Sequence, residues 1–224
     1  MNLRVVCAAV VVVISVITSH FTWAADKSAS ALLPTSVAGY LEITKPSDVV
    51  DTALEHPLAK LVAENPDYQK ALESPEYEKY LAVIKAVEDK LGMQLRPALK
   101  TLAAEGIYIG GDLATQGVVV LVRSSDPKLT EKARDVLVDL ARADAEEKGQ
   151  ADPITLDDHR DIKLYQNKEV RLASQDHWLI VASKPLLIRA VLNNLLDDDA
   201  PSLAGEKQFQ AAYKQRPAGA AAWG

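Results

Sequence analysis

One stretch limits the possible architectures more than any other: "HWLIVASKPLLIRAVL", residues 177–192. Its first half alternates as a strand, with His177, Leu179 and Val181 on one face and Trp178, Ile180 and Ala182 on the other. Both faces are largely apolar, so this strand is expected to lie mid-sheet, covered on both sides. After Ser183-Lys184-Pro185 the period changes. Leu187, Ile188, Val191, Leu192 and Leu195 fall at helical spacing and form one apolar stripe. A strand covered on both sides that runs straight into an amphipathic helix requires a layered fold.

The rest of the chain supplies the other elements. Residues 37–44 read as a strand. A helical block, 46–104, follows, with Pro46, Pro57, Pro66, Pro75 and Pro97 as the starts of successive helices. Its best helix begins after Ser74, carries Tyr77, Tyr80, Leu81, Ile84, Val87 and Leu91 as a stripe, and stops at Gly92. A hairpin is predicted at 107–111 and 117–123. A long helix comes next, with Leu129, Ala133, Val136, Leu137 and Leu140 buried and Gly149 beyond its end. Short strands are predicted at 154–157, 161–166, 169–174 and 177–183. Together these give an α+β domain over 34–224, a largely antiparallel sheet covered by helices, behind a flexible lead-in at 25–33. The Thr44-Lys45-Pro46, Ser125-Asp126-Pro127 and Ser183-Lys184-Pro185 turns are expected to cap the helices that follow them. The closing "AGAAAWG" reads as the start of a strand, which suggests a truncated chain.

Residues 1–24 have the layout of a secretory signal peptide: Arg4, an apolar run from Val5, and Thr22 and Ala24 at the cleavage positions. The protein is therefore expected to be exported, to the periplasm or cell envelope. An uncleaved N-terminal segment is its only expected contact with a membrane. Cleavage removes Cys7, the only cysteine, so disulfide and thiol chemistry are excluded from the mature chain. It also removes Arg4, making a chain of formal charge −6 still more acidic. Without a basic cluster, nucleic-acid binding is excluded as a function.

Several motifs invite a chemical reading. "HRDIKLYQN", from His159, imitates a kinase catalytic loop, but the position five after Asp161 is Gln166 rather than Asn. "AVIK" lies in a helical pattern instead of on a strand, and the glycine-rich loop is missing. The region is better read as two strands joined by a charged turn at 157–160. Asp157, Asp158, His159 and Asp161 lack the glycine of a calcium loop, and Asp197–Asp199 follow a helix end as solvated acids. Ser125 and Lys128 match S-x-x-K without its partner motifs. His56, His159 and His177 stand at no metal-ligand spacing. Tyr40, Tyr108 and Trp178 are expected to fill the core. No catalytic, cofactor-binding or metal site residue and no cofactor is assigned.

The segments "LLPTSVAGYLEI", "EHPLAKL", "HWLIVASKPLLIRAVL" and "SLAGEKQFQAA" resemble those of an uncharacterised family of exported bacterial proteins that carry a domain of unknown function. The resemblance implies a longer protein, continuing into further strands, and brings no catalytic residue with it. The expected function is that of a non-enzymatic domain binding a partner protein or envelope component. The alternatives are an envelope hydrolase and a carrier of lipid or another apolar ligand. A hydrolase requires a histidine beside a carboxylate and a hydroxyl in a cleft, a carrier requires an apolar pocket, and a partner-binding domain requires an exposed apolar patch.

Overall fold

A computed structural model describes residues 27–56 and 61–224. The signal peptide expected at 1–24, with Cys7, and the helix start expected at Pro57 lie outside them. The strand predicted from "HWLIVAS" is β7 (Trp178–Ala182), flanked by β3 (Gly117–Arg123) and β6 (Arg171–Gln175). Trp178, Ile180 and Ala182 face a core shared with α7 (Pro185–Leu196). Leu179 and Val181 face the other way, against Val138 of α6 (Pro127–Glu147). The five stripe residues of α7 are each exposed by 1% or less. Each such side chain contributes about 1.5–3 kcal/mol through removal from water.

Two antiparallel meanders meet at β3 and β7. The first is β1 (Val37–Ile43), β2 (Gly106–Asp112) and β3; the second is β4 (Thr155–His159), β5 (Ile162–Gln166), β6 and β7. Every pairing in the sheet is antiparallel, in the order β4-β5-β6-β7-β3-β2-β1-β8. The last strand, β8 (Ala222–Trp223), pairs with Glu42 and Ile43 of β1. The fold class is α+β, as the alternating patterns require.

Between β1 and β2 the helical block contains α2 (Pro46–Glu55), α3 (Pro66–Leu72), α4 (Pro75–Leu91) and α5 (Leu95–Leu102). Pro46, Pro66 and Pro75 begin helices as expected. Pro97 does not, because α5 starts earlier at Leu95 and takes the proline into its first turn, where no N–H is missed. Asn65 and Ser74 cap α3 and α4 through their side chains. Gly92 ends α4 at φ 74°, a left-handed position that glycine occupies without steric cost.

Four further expectations need correction. Residues 27–33 are not a flexible lead-in: they hold α1 (Ala29–Leu32), and Leu32 and Leu33 are buried in the main core. Gly110 gives Leu33 room: a Cβ there would crowd the Leu33 methyls at 3.1 and 3.3 Å. Of the three proline turns, only Asp126 caps with its side chain, accepting from the N–H groups of Lys128 and Leu129. The neighbouring hydroxyls bond across the fold instead, Thr44 to the Ala220 carbonyl and Ser183 from the Val118 N–H. On α6 it is Val138 that is buried, and Leu137 is exposed. The helix turns one face to α4 and α5 and another to the sheet, so a single stripe does not describe it. Finally, Asp157, Asp158 and His159 belong to β4 itself. The turn is only Arg160 and Asp161, both at positive φ, as a tight hairpin demands.

Candidate functional site

The kinase-like hairpin is a clasp on α7. Arg189, Asn193 and Asp197 recur every four residues and so share one side of the helix line. Opposite them stand Asp157, His159 and Arg160. Arg189 donates to Asp157 at 2.5 Å, His159 Nε2 bonds Asn193 Oδ1 at 2.8 Å, and Arg160 reaches both oxygens of Asp197 at 2.7 and 2.8 Å. The Asp158 N–H and Arg189 hold the Asp157 carboxyl below its ordinary range; Arg160 does the same for Asp197. Asp158 accepts from the Asp161 N–H, and Asp198 pairs with Lys27. These acids are thus occupied within the hairpin turn and in joining β4 and Lys27, ahead of α1, to α7 and its end. Among the described residues, no group of three or more His, Cys, Asp or Glu side chains is placed to hold a metal ion.

The other candidates do not converge either. His177 donates through Nδ1 to the Ser124 carbonyl at 2.8 Å, and its hydrogen-bond partner is backbone rather than a carboxylate. His56 sits at the end of α2, and Ser125 turns to the Thr101 carbonyl. Trp178 is buried in the core beside the half-buried Tyr108, their ring centres 6.0 Å apart. Tyr40 packs at the core margin.

Two buried acids gave no sequence signal. Glu42 accepts from the Tyr40 hydroxyl at 2.8 Å, from that of Tyr213 at 3.3 Å, and from Arg216. Burial first, and then the Glu42 carboxylate, push the Tyr40 phenol far above its ordinary pKa. The arrangement ties the chain's last helix, α8 (Lys207–Tyr213), to β1. Phe209, Tyr213 and Trp223 complete the cluster through edge and stacked ring contacts. Asp112 is the second. Burial acts to raise its pKa, but hydrogen bonds from Ser36, Thr115 and the backbone outweigh this and leave it lowered. It organises the turn from β2 to β3.

Two apolar features remain. A cleft of about 330 Å3 opens between α6 and the sheet, lined by Leu137, Val138, Ile154, Tyr165, Leu172 and Val181. It adjoins a more polar groove through Ala141 and Asn167. The helical block shows the second. Leu91 and Ala98 bury themselves against α6, with Val87 packed alongside. Tyr80, Leu81 and Val83 of α4 and Leu99 of α5 stand exposed, Tyr80 by 57%. Of the predicted α4 stripe, Leu91 is buried, Tyr77, Ile84 and Val87 are half-buried, and Tyr80 and Leu81 are exposed.

No family model matches the chain, and no curated protein matches it. Among solved structures, crystal forms I, III and IV of TP0453 are similar at 12%, 11% and 10% identity, with TM-scores of 0.42, 0.41 and 0.39. The alignments cover 87%, 87% and 88% of this chain, which spans 60%, 61% and 63% of the length of those chains. At these scores the likeness assigns no function.

Proposed function

We propose that the chain is an exported, non-enzymatic domain that binds a partner protein of the cell envelope through the helical block at 46–104. The observation that carries this reading is the exposure of three large apolar residues in the middle of α4, Tyr80, Leu81 and Val83. Contiguous apolar surface in water favours association, and tyrosine is among the residues that anchor protein interfaces. The block packs at the far end of α4, where Leu91, with Ala98 and Leu102 of α5, meets Leu129, Ala133 and Val136 of α6. Within α4, stability is thus assigned to the end that meets α6 and binding to the part of the helix that α6 leaves uncovered. Membership in the exported family that the four segments resemble is part of the same reading.

The test is a variant with Tyr80→Ser, Leu81→Gln and Val83→Ser together. Its thermal midpoint should match that of the parent. The parent should co-purify from the envelope fraction with a defined protein, which reciprocally captures it when tagged. The variant should lose that protein. Retention of the same protein by the variant would remove the block from the interface.

One observation favours a second reading, a carrier of a small apolar ligand. The 330 Å3 cleft lies within the usual size of ligand sites, and its walls are almost wholly apolar. Anilinonaphthalene sulfonate should then bind the parent and the α4 variant alike. Ala141→Phe, which fills the cleft, should abolish the signal.

A further inference from the structure

We infer that the apolar cleft between α6 and the sheet selects small molecules with an apolar body and a carbonyl oxygen at one end, and that the Asn167 side chain donates to that oxygen. This rests on the carrier reading of the cleft and adds the chemical class of its ligand. Of the nine residues that line the cleft, only Tyr165 and Asn167 carry a polar side-chain group. The rest of the wall is Leu, Val, Ile and Ala, so an apolar body is what it holds. Its 330 Å3 matches the bulk volume of about eleven water molecules, room for a chain of roughly eight carbons.

Asn167 sets what the end of that body must be. It lines both the cleft and the polar groove beside it, so it stands where the two join. Its Oδ1 accepts from the Glu169 N–H at 2.9 Å and from the Val170 N–H at 2.8 Å. A carbonyl oxygen has two lone pairs, and both are spent within the turn from β5 to β6. The turn therefore fixes which way the amide lies. Nδ2 is left with two hydrogens, and among the described residues no group accepts from it. A ligand that covered Nδ2 without an acceptor would take a donor out of water unpaired, which opposes binding. A carbonyl oxygen at the ligand's end removes that penalty.

The charges nearby disfavour the opposite ligand, an apolar ammonium. Asp144 and Asp152 line the groove, but Lys148 holds the first at 2.7 Å and Arg142 the second at 3.0 Å. Lys168 and Glu169 lie side by side at its rim and offset one another, and Arg171 adds a positive charge. An ammonium would also bring hydrogens to a group that has only hydrogens to offer. Carboxylates, esters and amides share the acceptor oxygen and differ in charge.

The test uses the full chain and displaces bound anilinonaphthalene sulfonate with octanoate, methyl octanoate or octylammonium. Octanoate and the ester should each displace the dye at concentrations about tenfold below octylammonium. The ester is uncharged, so its advantage measures the acceptor rather than the field of the chain. Asn167→Asp keeps an oxygen for both turn N–H groups and puts a second oxygen where Nδ2 stood. It should leave the thermal midpoint unchanged and weaken octanoate and the ester by about tenfold. In the parent, the Asn167 side-chain amide resonances should move when the ester is added and stay in place with octylammonium. This readout holds even if Asn167→Asp unsettles the turn. No dye binding, or no displacement by any probe, would overturn the carrier reading and the inference together. Equal displacement by all three probes, or amide resonances that ignore the ester, would overturn the inference alone.

Discussion

α7 and α4 each carry an apolar stripe at helical spacing, wholly aliphatic in α7 and with two tyrosines in α4. In α7 every stripe residue is sealed between the sheet and α1. In α4 Leu91 is sealed while Tyr80 and Leu81 stand in water. The contrast extends to polar groups. The sheet half buries Glu42, Asp112, Ser124 and Thr130 and gives each a hydrogen-bond partner. Among the described residues, the block buries no polar or charged side chain. Periodicity therefore identifies a helix and its apolar side, whereas burial depends on whether a partner surface exists within the chain. A stripe that the fold fails to cover is where an external partner has something to gain.

The largest effect should come from comparing the two stripes directly. Ile188→Ala opens a cavity in the α7 core and should cost about 2–5 kcal/mol. Leu81→Ala in α4 should stay within about 0.5 kcal/mol of the parent, as surface substitutions do. Denaturant unfolding measures both. Similar costs would mean that the block's outer face is covered after all, and the contrast between the two helices would fail.

The next effect tests the buried polar groups of the sheet half. Glu42→Gln keeps the size of the side chain but removes the charge that Arg216, Tyr40 and Tyr213 surround. It should cost about 1.5–3 kcal/mol, the range for hydrogen bonds to a charged group. The alkaline limb sharpens this. The folded pKa of Tyr40 is raised, so its contribution is complete below the unfolded tyrosine value of about 10 and is lost as pH rises beyond it. Burial is the first cause of that shift and the Glu42 charge the second. The variant should therefore lose stability less steeply at high pH than the parent, followed by denaturant unfolding at several alkaline pH values.

The two halves also differ in how legible they were. Alternation and stripes were enough to place β2, β3, β5, β6, β7 and α7, because each buries a face whose period the residues repeat. The lead-in was misread because Leu32 and Leu33 reach the core from one short helical turn, too brief to show a period. The role of Ser183 and Thr44 was misassigned for a related reason: a hydroxyl beside a proline turn fits a local cap, and only the neighbouring strands offer the bonds actually made. Glu42 and Asp112 look like solvated acids in sequence, since their partners Arg216 and Ser36 meet them only through the fold. Clefts and open edges are properties of several elements at once and leave no local pattern. The kinase-like motif shows the reverse case, a strong local pattern whose meaning is set by Asn193 and Asp197 on another element.

That clasp gives the smallest expected effect. Asp197→Ala frees Arg160 from its two bonds, yet Asp157 still meets Arg189 and His159 still meets Asn193. All these ion pairs are exposed, and exposed pairs contribute little to global stability. The unfolding midpoint should therefore stay where it is. What should change is local. Arg160 and Asp161 occupy left-handed backbone positions, at φ 55° and 69°, which non-glycine residues adopt at some cost. With the Asp197 tether gone, hydrogen exchange at these two turn amides should quicken while the β7 amides stay protected. Adding Asp157→Ala should extend the faster exchange into β4. If the turn stays as protected as before in both variants, the hairpin is held by its own pairing with β5 and the contacts to α7 are incidental. If the midpoint falls as far as it does for Glu42→Gln, the division between a sealed core and a lightly held surface does not apply at this corner of the sheet.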